Sequence, residues 1–127
     1  MRIFVLDDDQ DRLNWFAEEF GDIVTAKTVN EAIEILRNNK FDVIFLDHDL
    51  GGAFKSGPDG DGIDVAEVMP KEKLQTYAEI IIQSRNPRGA RNIYDVLMIT
   101  HHNRELIPYP YLRYFIDKGK FNNEPSN

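Results

Sequence analysis

The stretch Phe41-Asp42-Val43-Ile44-Phe45-Leu46-Asp47-His48-Asp49-Leu50-Gly51-Gly52 decides how this chain is read. Val43 to Leu46 is an unbroken apolar run of β-branched and aromatic residues. That is the composition of a strand buried on both faces, inside a parallel sheet covered by helices. Two carboxylates flanking one imidazole follow at once, then two glycines. A charge is costly to bury without a partner. Asp47 is therefore expected to emerge at the carboxyl end of the strand, where open α/β sheets bind their ligands. Side-chain alternation adds a condition: if the strand continues past Asp47, His48 turns away from it. The plainer alternative is a polar segment that only caps a loop.

Working back from this strand, Ile3-Phe4-Val5-Leu6 is a second buried run, and it ends in Asp7-Asp8-Asp9. Asp9 suits a helix N-terminus, where negative charge meets the dipole. Asp7 and Asp8 stand at a strand end, as Asp47 does. Adjacent parallel strands finish on the same side, so the three acids should converge. Leu13, Phe16, Ala17 and Phe20 follow at helical spacing up to Gly21, with Trp15 as packing beside them. Ile23 to Ala26 reads as a short strand. Thr28 and Glu31 form a capping box for a helix on Val29, Ala32, Ile33 and Leu36.

Working forward, residues 47–62 form a long loop holding five of the eight glycines. Asp59-Gly60-Asp61-Gly62 lacks the spaced ligands and terminal glutamate of a calcium hand and reads as a turn plus helix start. Ile63, Val65, Ala66 and Met69 give a short helix that Pro70 is expected to close. Ile80-Ile81-Ile82-Gln83 is a further strand. After it come Ser84, Arg85, Asn86, Arg88 and Arg91 at the head of a helix through Ile93, Val96 and Leu97. Helix N-termini offer N–H groups to anions, and guanidinium forks suit phosphate. His101-His102 fall near a helix end, where the dipole favours histidine. Leu106 to Pro110 is an edge-like last strand, given its prolines. Tyr111 to Lys118 is a final helix, and residues 119–127 a frayed tail.

Composition narrows the function. A chain of 127 residues with 42% hydrophobic residues fits one domain, here 1–118, with one core. There is no cysteine, which removes disulfides, thiolate metal sites and a cysteine nucleophile. No apolar run approaches the roughly 18 residues of a membrane span, and Met1-Arg2 leads straight into a strand rather than a signal peptide. A cytoplasmic protein without membrane contact is the expectation. Net charge of −7 argues against a grip on long duplex nucleic acid, though not against a small phosphate ligand held by a local cationic patch.

The βαβαβαβαβα alternation predicts an α/β fold: a single, doubly wound, five-stranded parallel sheet. With Asp7-Asp8, Asp47 and Ser84 after strands one, three and four, residues 1 to 118 resemble the receiver domain of response regulators. That likeness implies a flavodoxin-like strand order of 2-1-3-4-5. It also implies a Mg²⁺ site on Asp8 and Asp47 with Asp7 in support, a phosphoacceptor role for Asp47, a phosphate contact from Ser84, and Asp61-Gly62 as the pair opening the third helix. Receivers carry a Lys before a Pro after strand five, whereas this chain reads Leu106-Ile107-Pro108. The loop after Asp47 is also longer. The segments Asp47-His48-Asp49-Leu50-Gly51-Gly52 and Ser84-Arg85-Asn86-Pro87-Arg88-Gly89-Ala90 look instead like the divergent cyclic-phosphate processing receiver group.

That resemblance implies metal-dependent hydrolysis or ring opening of a cyclic phosphate on a nucleotide or an RNA end. Asp7, Asp8 and Asp47 would hold Mg²⁺ or Mn²⁺, as hard oxygen donors suit. His48 would be the general acid or base, imidazole titrating near neutral pH, with Asp47 and Asp49 beside it. Ser84, Arg85, Asn86 and Arg88 would cradle the phosphate. The rival reading is a signalling or phosphate-ligand-binding module without catalysis, phosphorylated on Asp47 or not at all. A haloacid-dehalogenase-like phosphatase ranks last. Asp7 and Asp9 have its spacing, but a helix follows and the required Thr is missing.

Overall fold

The computed structural model describes residues 1–52 and 55–117. Strands β1 (Ile3–Leu6), β2 (Val24–Ala26), β3 (Val43–Leu46), β4 (Glu79–Ile82) and β5 (Arg104–Leu106) alternate with helices α1 (Gln10–Phe20), α2 (Val29–Asn38), α3 (Gly62–Glu72), α4 (Pro87–Val96) and α5 (Tyr109–Asp117). All pairings are parallel, in the order β2-β1-β3-β4-β5. This is the predicted doubly wound sheet and strand order. The tail assigned to residues 119–127 lies outside the described residues. No helix among the described residues is long and apolar enough to cross a membrane.

Period-two alternation divides the core. Phe4, Leu6, Ile44, Leu46, Ile80 and Ile82 face one layer, with Val29, Leu36, Met69 and Ile93 from α2, α3 and α4. Ile3, Val5, Val43, Phe45 and Ile81 face the other, with Leu13 and Phe16 of α1 and Leu112 of α5. Each large apolar side chain buried in this way contributes about 1.5–3 kcal/mol. Trp15 packs on the second layer, as read from the sequence.

The ladder continues one row beyond the strands, and this row positions the site. Asp7 N donates to Ala26 O, Asp47 N to Leu6 O, Gln83 N to Leu46 O and Ile107 N to Ile82 O. Asp7, Asp47 and Gln83 share the parity of Val5, Phe45 and Ile81, so they belong to the α1 side of the sheet. His48 has the opposite parity and belongs to the α4 side.

Three expectations need correction. Pro70 does not close its helix, because α3 runs to Glu72 and ends at Lys73 in the left-handed region (φ 56°). A proline forfeits its own N–H and crowds the preceding turn, while the residues after it keep their donors. The last strand lies earlier, at Arg104–Leu106, and Tyr109 and Pro110 open α5. Proline is accepted in a helix's first turn, where N–H groups have no helical partner. His101 does not serve the dipole as a cation. It is fully buried, with Nε2 donating to Leu74 O at 2.7 Å and Nδ1 2.7 Å from Thr100 Oγ1. Burial lowers its pKa, outweighing the bond to Leu74.

Candidate active site

The acids converge as expected. Asp7, Asp8 and Asp47 each offer a carboxylate oxygen, and these lie within 4.8 Å of one another. Asp7 is fully buried and Asp47 is 5% exposed. Burial pushes the Asp47 carboxyl up to about 7, and the charges of Asp7 and Asp8 push the same way. The Arg12 charge and the His48 N–H, which donates to Asp47 Oδ1 at 2.9 Å, resist that rise.

The sequence reading missed the cation that holds this cluster. Arg12 forks onto Asp7 through Nε (2.8 Å) and Nη2 (2.9 Å), and Nη2 also lies 3.4 Å from Asp47 Oδ2. Asp8 Oδ1 and Asp9 Oδ2 are 3.9 and 3.8 Å from the same guanidinium. Burial would lower the Arg12 pKa, but the hydrogen bonds and charge of Asp7, with Asp47 and Asp9, raise it. A signal was present: Arg12 sits in the first turn of α1, where the dipole disfavours a cation. Asp9 caps that helix, accepting from Arg12 N.

Opposite the acids, the chain leaves β4 through Gln83 and Ser84 into α4. Ser84 is buried, and its Oγ accepts from Asn86 N at 3.1 Å. Asn86 caps α4, its Oδ1 accepting from Gly89 N at 3.0 Å, while its Nδ2 donates to Asp49 Oδ1 at 3.2 Å. A cavity of about 580 Å³ lies between the two sides, lined by Asp8, Asp47 and Arg12 on one and by Ser84, Arg85 and Asn86 on the other. Asp49, Gln83 and Tyr109 also line it. Tyr109, read from the sequence as strand, meets Trp15 edge-on with ring centroids 5.3 Å apart.

Two residues named from the sequence lie elsewhere. His48 follows its parity. Its ring packs against Gly89, where an added Cβ would come within 2.4 Å of His48 Cγ, and it does not line the cavity. Its Nδ1 bonds to Asp49 Oδ1 at 2.7 Å, so its link to the cavity runs through Asp49. Arg88 is exposed on α4 and does not line the cavity, whereas Arg85 does. Arg91 is also exposed and pairs with Asp95.

The long loop is pinned from within. Asp61 Oδ1 accepts from Leu50 N (3.0 Å) and Gly57 N (2.9 Å), and Asp61 forms a capping box with Asp64 at the head of α3. Burial would raise its pKa; the two backbone donors outweigh it and lower it. Asp59 caps α2 through Val29 N and Asn30 N, so the turn-plus-helix reading of residues 59–62 stands. His48, Asp49 and Asp61 also come within reach of one ion, but Asp61 is occupied by the loop and Asp49 by His48 and Asn86. Gly52 N donates to Asp8 Oδ2 at 2.7 Å, tying the loop to the acidic cluster. Gly62 allows the closest approach: its N donates to His48 O at 2.7 Å, and a Cβ there would fall 1.9 Å from Asp47 O. Gly62→Ala should therefore cost roughly 3 kcal/mol of stability, seen as a lower urea midpoint with the slope unchanged.

The donor set fits a small hard divalent cation. It offers only carboxylate oxygens, at a buried position where like charges already crowd one another. Asp8 and Asp47 would be the ligands, with Asp7 behind them, where Arg12 now holds it.

A 2-1-3-4-5 parallel sheet with carboxylates at the ends of β1 and β3 and a hydroxyl after β4 defines a receiver-type domain. Solved structures agree on the fold. The CheY-like receiver domain protein of Methanospirillum hungatei has a TM-score of 0.69 at 19% identity, over 94% of this chain and 90% of that one. The non-phosphorylated HemR receiver domain of Leptospira biflexa has 0.67 at 26%, over 99% and 96%. The response regulator TrrA of Thermotoga maritima, in complex with Mg(2+)-BeF, has 0.63 at 22%, over 94% and 96%. Within this class, the sequence profile of the cyclic-phosphate processing receiver domain matches residues 1–99, and the chain belongs to that family. No curated protein sequence matches it.

Proposed function

We propose that the chain is a metal-dependent enzyme that opens a cyclic phosphate on a nucleotide or an RNA end. One observation carries the reading. A single cavity sets carboxylates able to hold a metal ion against a hydroxyl, an amide and a guanidinium suited to phosphate, in a family described by cyclic-phosphate processing. Asp8 and Asp47, supported by Asp7, would hold a Mg²⁺ or Mn²⁺ ion, which when bound would supply charge neutralisation at the phosphoryl group and activation of water. Ser84 and Asn86 orient the phosphate, and Arg85 on the rim adds positive charge. Water adds to phosphorus and sheds one proton to solvent, one ring P–O bond breaks, and the departing oxygen takes up a proton from a donor that solvent then reprotonates, leaving a phosphomonoester. That proton comes from the His48–Asp49 pair, Asp49 facing the cavity and His48 bonded behind it.

The test is incubation with 2′,3′- and 3′,5′-cyclic nucleotides, and with an oligoribonucleotide ending in a cyclic phosphate, with and without metal. Turnover should require metal. His48→Ala should lower kcat by about 10²-fold. Arg88 is exposed on α4 and off the cavity, so Arg88→Ala should leave KM unchanged. A second reading has one observation in its favour: Asp47 stands at the end of the central strand of a receiver fold, the place of a phosphoacceptor. Stable labelling of Asp47 by acetyl phosphate, with no cyclic substrate consumed, would favour that switch over the enzyme.

A further inference from the structure

We propose that Arg12 is both the resident cation of the carboxylate cluster and the receptor for the substrate's phosphate, and that a divalent ion must displace it to enter. The inference rests on the metal-dependent reading above and deepens it. Arg12 Nη2 lies 3.4 Å from Asp47 Oδ2 and 3.9 Å from Asp8 Oδ1, the groups an ion would need. Guanidinium and metal are therefore rivals for the same oxygens. The rivalry is not idle, because Arg12 also lines the cavity that Ser84, Arg85 and Asn86 face.

Charge decides where the displaced guanidinium goes. Asp7, Asp8, Asp9 and Asp47 all lie within 4.0 Å of Arg12. A divalent ion leaves those four carboxylates with excess negative charge, which would repel an incoming phosphate. A further cation is needed beside the ion, and Arg12 is already anchored there on the first turn of α1. Its fork geometry matches phosphate oxygens as well as it matches the Asp7 carboxylate. Tyr109, at the head of α5, lies against Arg12, with Cζ 5.7 Å from the ring centroid. Metal and phosphate are then coupled: each makes room for the other, and by linkage the coupling is reciprocal.

The chain carries its own reporter. Trp15, the one tryptophan, contacts Tyr109, so a swing of Arg12 should alter its fluorescence. The experiment titrates Mn²⁺ into the wild type, Arg12→Gln and Arg12→Lys, with and without inorganic phosphate, read by Trp15 fluorescence and by calorimetry. Arg12→Gln should bind Mn²⁺ at least 10-fold more tightly, because the competitor is gone. Phosphate should tighten Mn²⁺ binding at least 5-fold in the wild type and by less than 2-fold in Arg12→Gln. Arg12→Lys keeps the charge and should stay within a few-fold of the wild type for the metal alone. It also guards against misfolding of the neutral variant. Equal Mn²⁺ affinity in wild type and Arg12→Gln, or weaker affinity in the variant, would overturn the displacement while leaving the enzyme reading intact. Failure of all three proteins to bind Mn²⁺ would overturn the metal reading and this inference together.

Discussion

Replacing Asp47 with asparagine should stabilise the metal-free protein by about 4 kcal/mol above pH 7. Burial and the charge of Asp7 hold the Asp47 carboxyl at about 7 in the folded chain, against about 3.9 when unfolded. The folded state thus binds the proton more tightly. Below pH 4 both states are protonated, and Asp47 costs nothing extra. Between pH 4 and pH 7 the unfolded chain releases its proton first, and stability falls as pH rises. Above pH 7 both states are ionised and the loss is complete. Asparagine has nearly the same shape and cannot ionise, and its carbonyl can still accept from His48 N. The melting temperature of Asp47→Asn should therefore exceed that of the wild type by about 15 °C at pH 8. The gap should close towards pH 4. Parallel curves for the two proteins across that range would show that Asp47 is not held protonated by its surroundings.

The second large effect inverts the first. A cation on the cluster relieves the repulsion that asparagine relieves by substitution, so Mg²⁺ or Mn²⁺ should raise the wild-type melting temperature, and more so above pH 7. Metal at 100 times its dissociation constant contributes about 2.7 kcal/mol. Asp8→Ala and Asp47→Ala should each abolish that rise, and each should reduce metal-dependent turnover by about 10³-fold or more, the several kcal/mol that a metal supplies to charge stabilisation. A double variant that keeps the full thermal rise would place the ion elsewhere, with His48, Asp49 and Asp61 the next cluster to test.

Much of this was legible in the sequence because short buried strands leave few options. Val43 to Leu46 has no polar face, so it had to be central, and the acids after it and after Leu6 had to emerge on one edge. Parity was legible too: a strand that runs one residue on sends Asp47 and His48 to opposite sides, as the structure has it. What remained hidden came from tertiary partners. Arg12 reads as an ordinary helical residue until the acids around it are assembled in space, although its place against the dipole was a warning. Tyr109 sits between two prolines whose pattern suits an edge strand and a helix start equally well, and the packing of its ring on Trp15 accompanies the helical choice. Arg85 and Arg88 carry the same chemistry three positions apart, yet only Arg85 lines the cavity. His101 illustrates the same limit, since a buried neutral imidazole and a surface cation share one letter.

The most direct measurement of the central claim is phosphorus NMR of a 2′,3′-cyclic nucleotide incubated with the wild-type protein and Mg²⁺, beside the same mixture with chelator or with Asp47→Asn. The account predicts that the cyclic diester resonance is replaced by that of a monoester only where wild-type protein and Mg²⁺ are both present. A diester that persists there unchanged, or a conversion that proceeds equally with chelator or with Asp47→Asn, would contradict it.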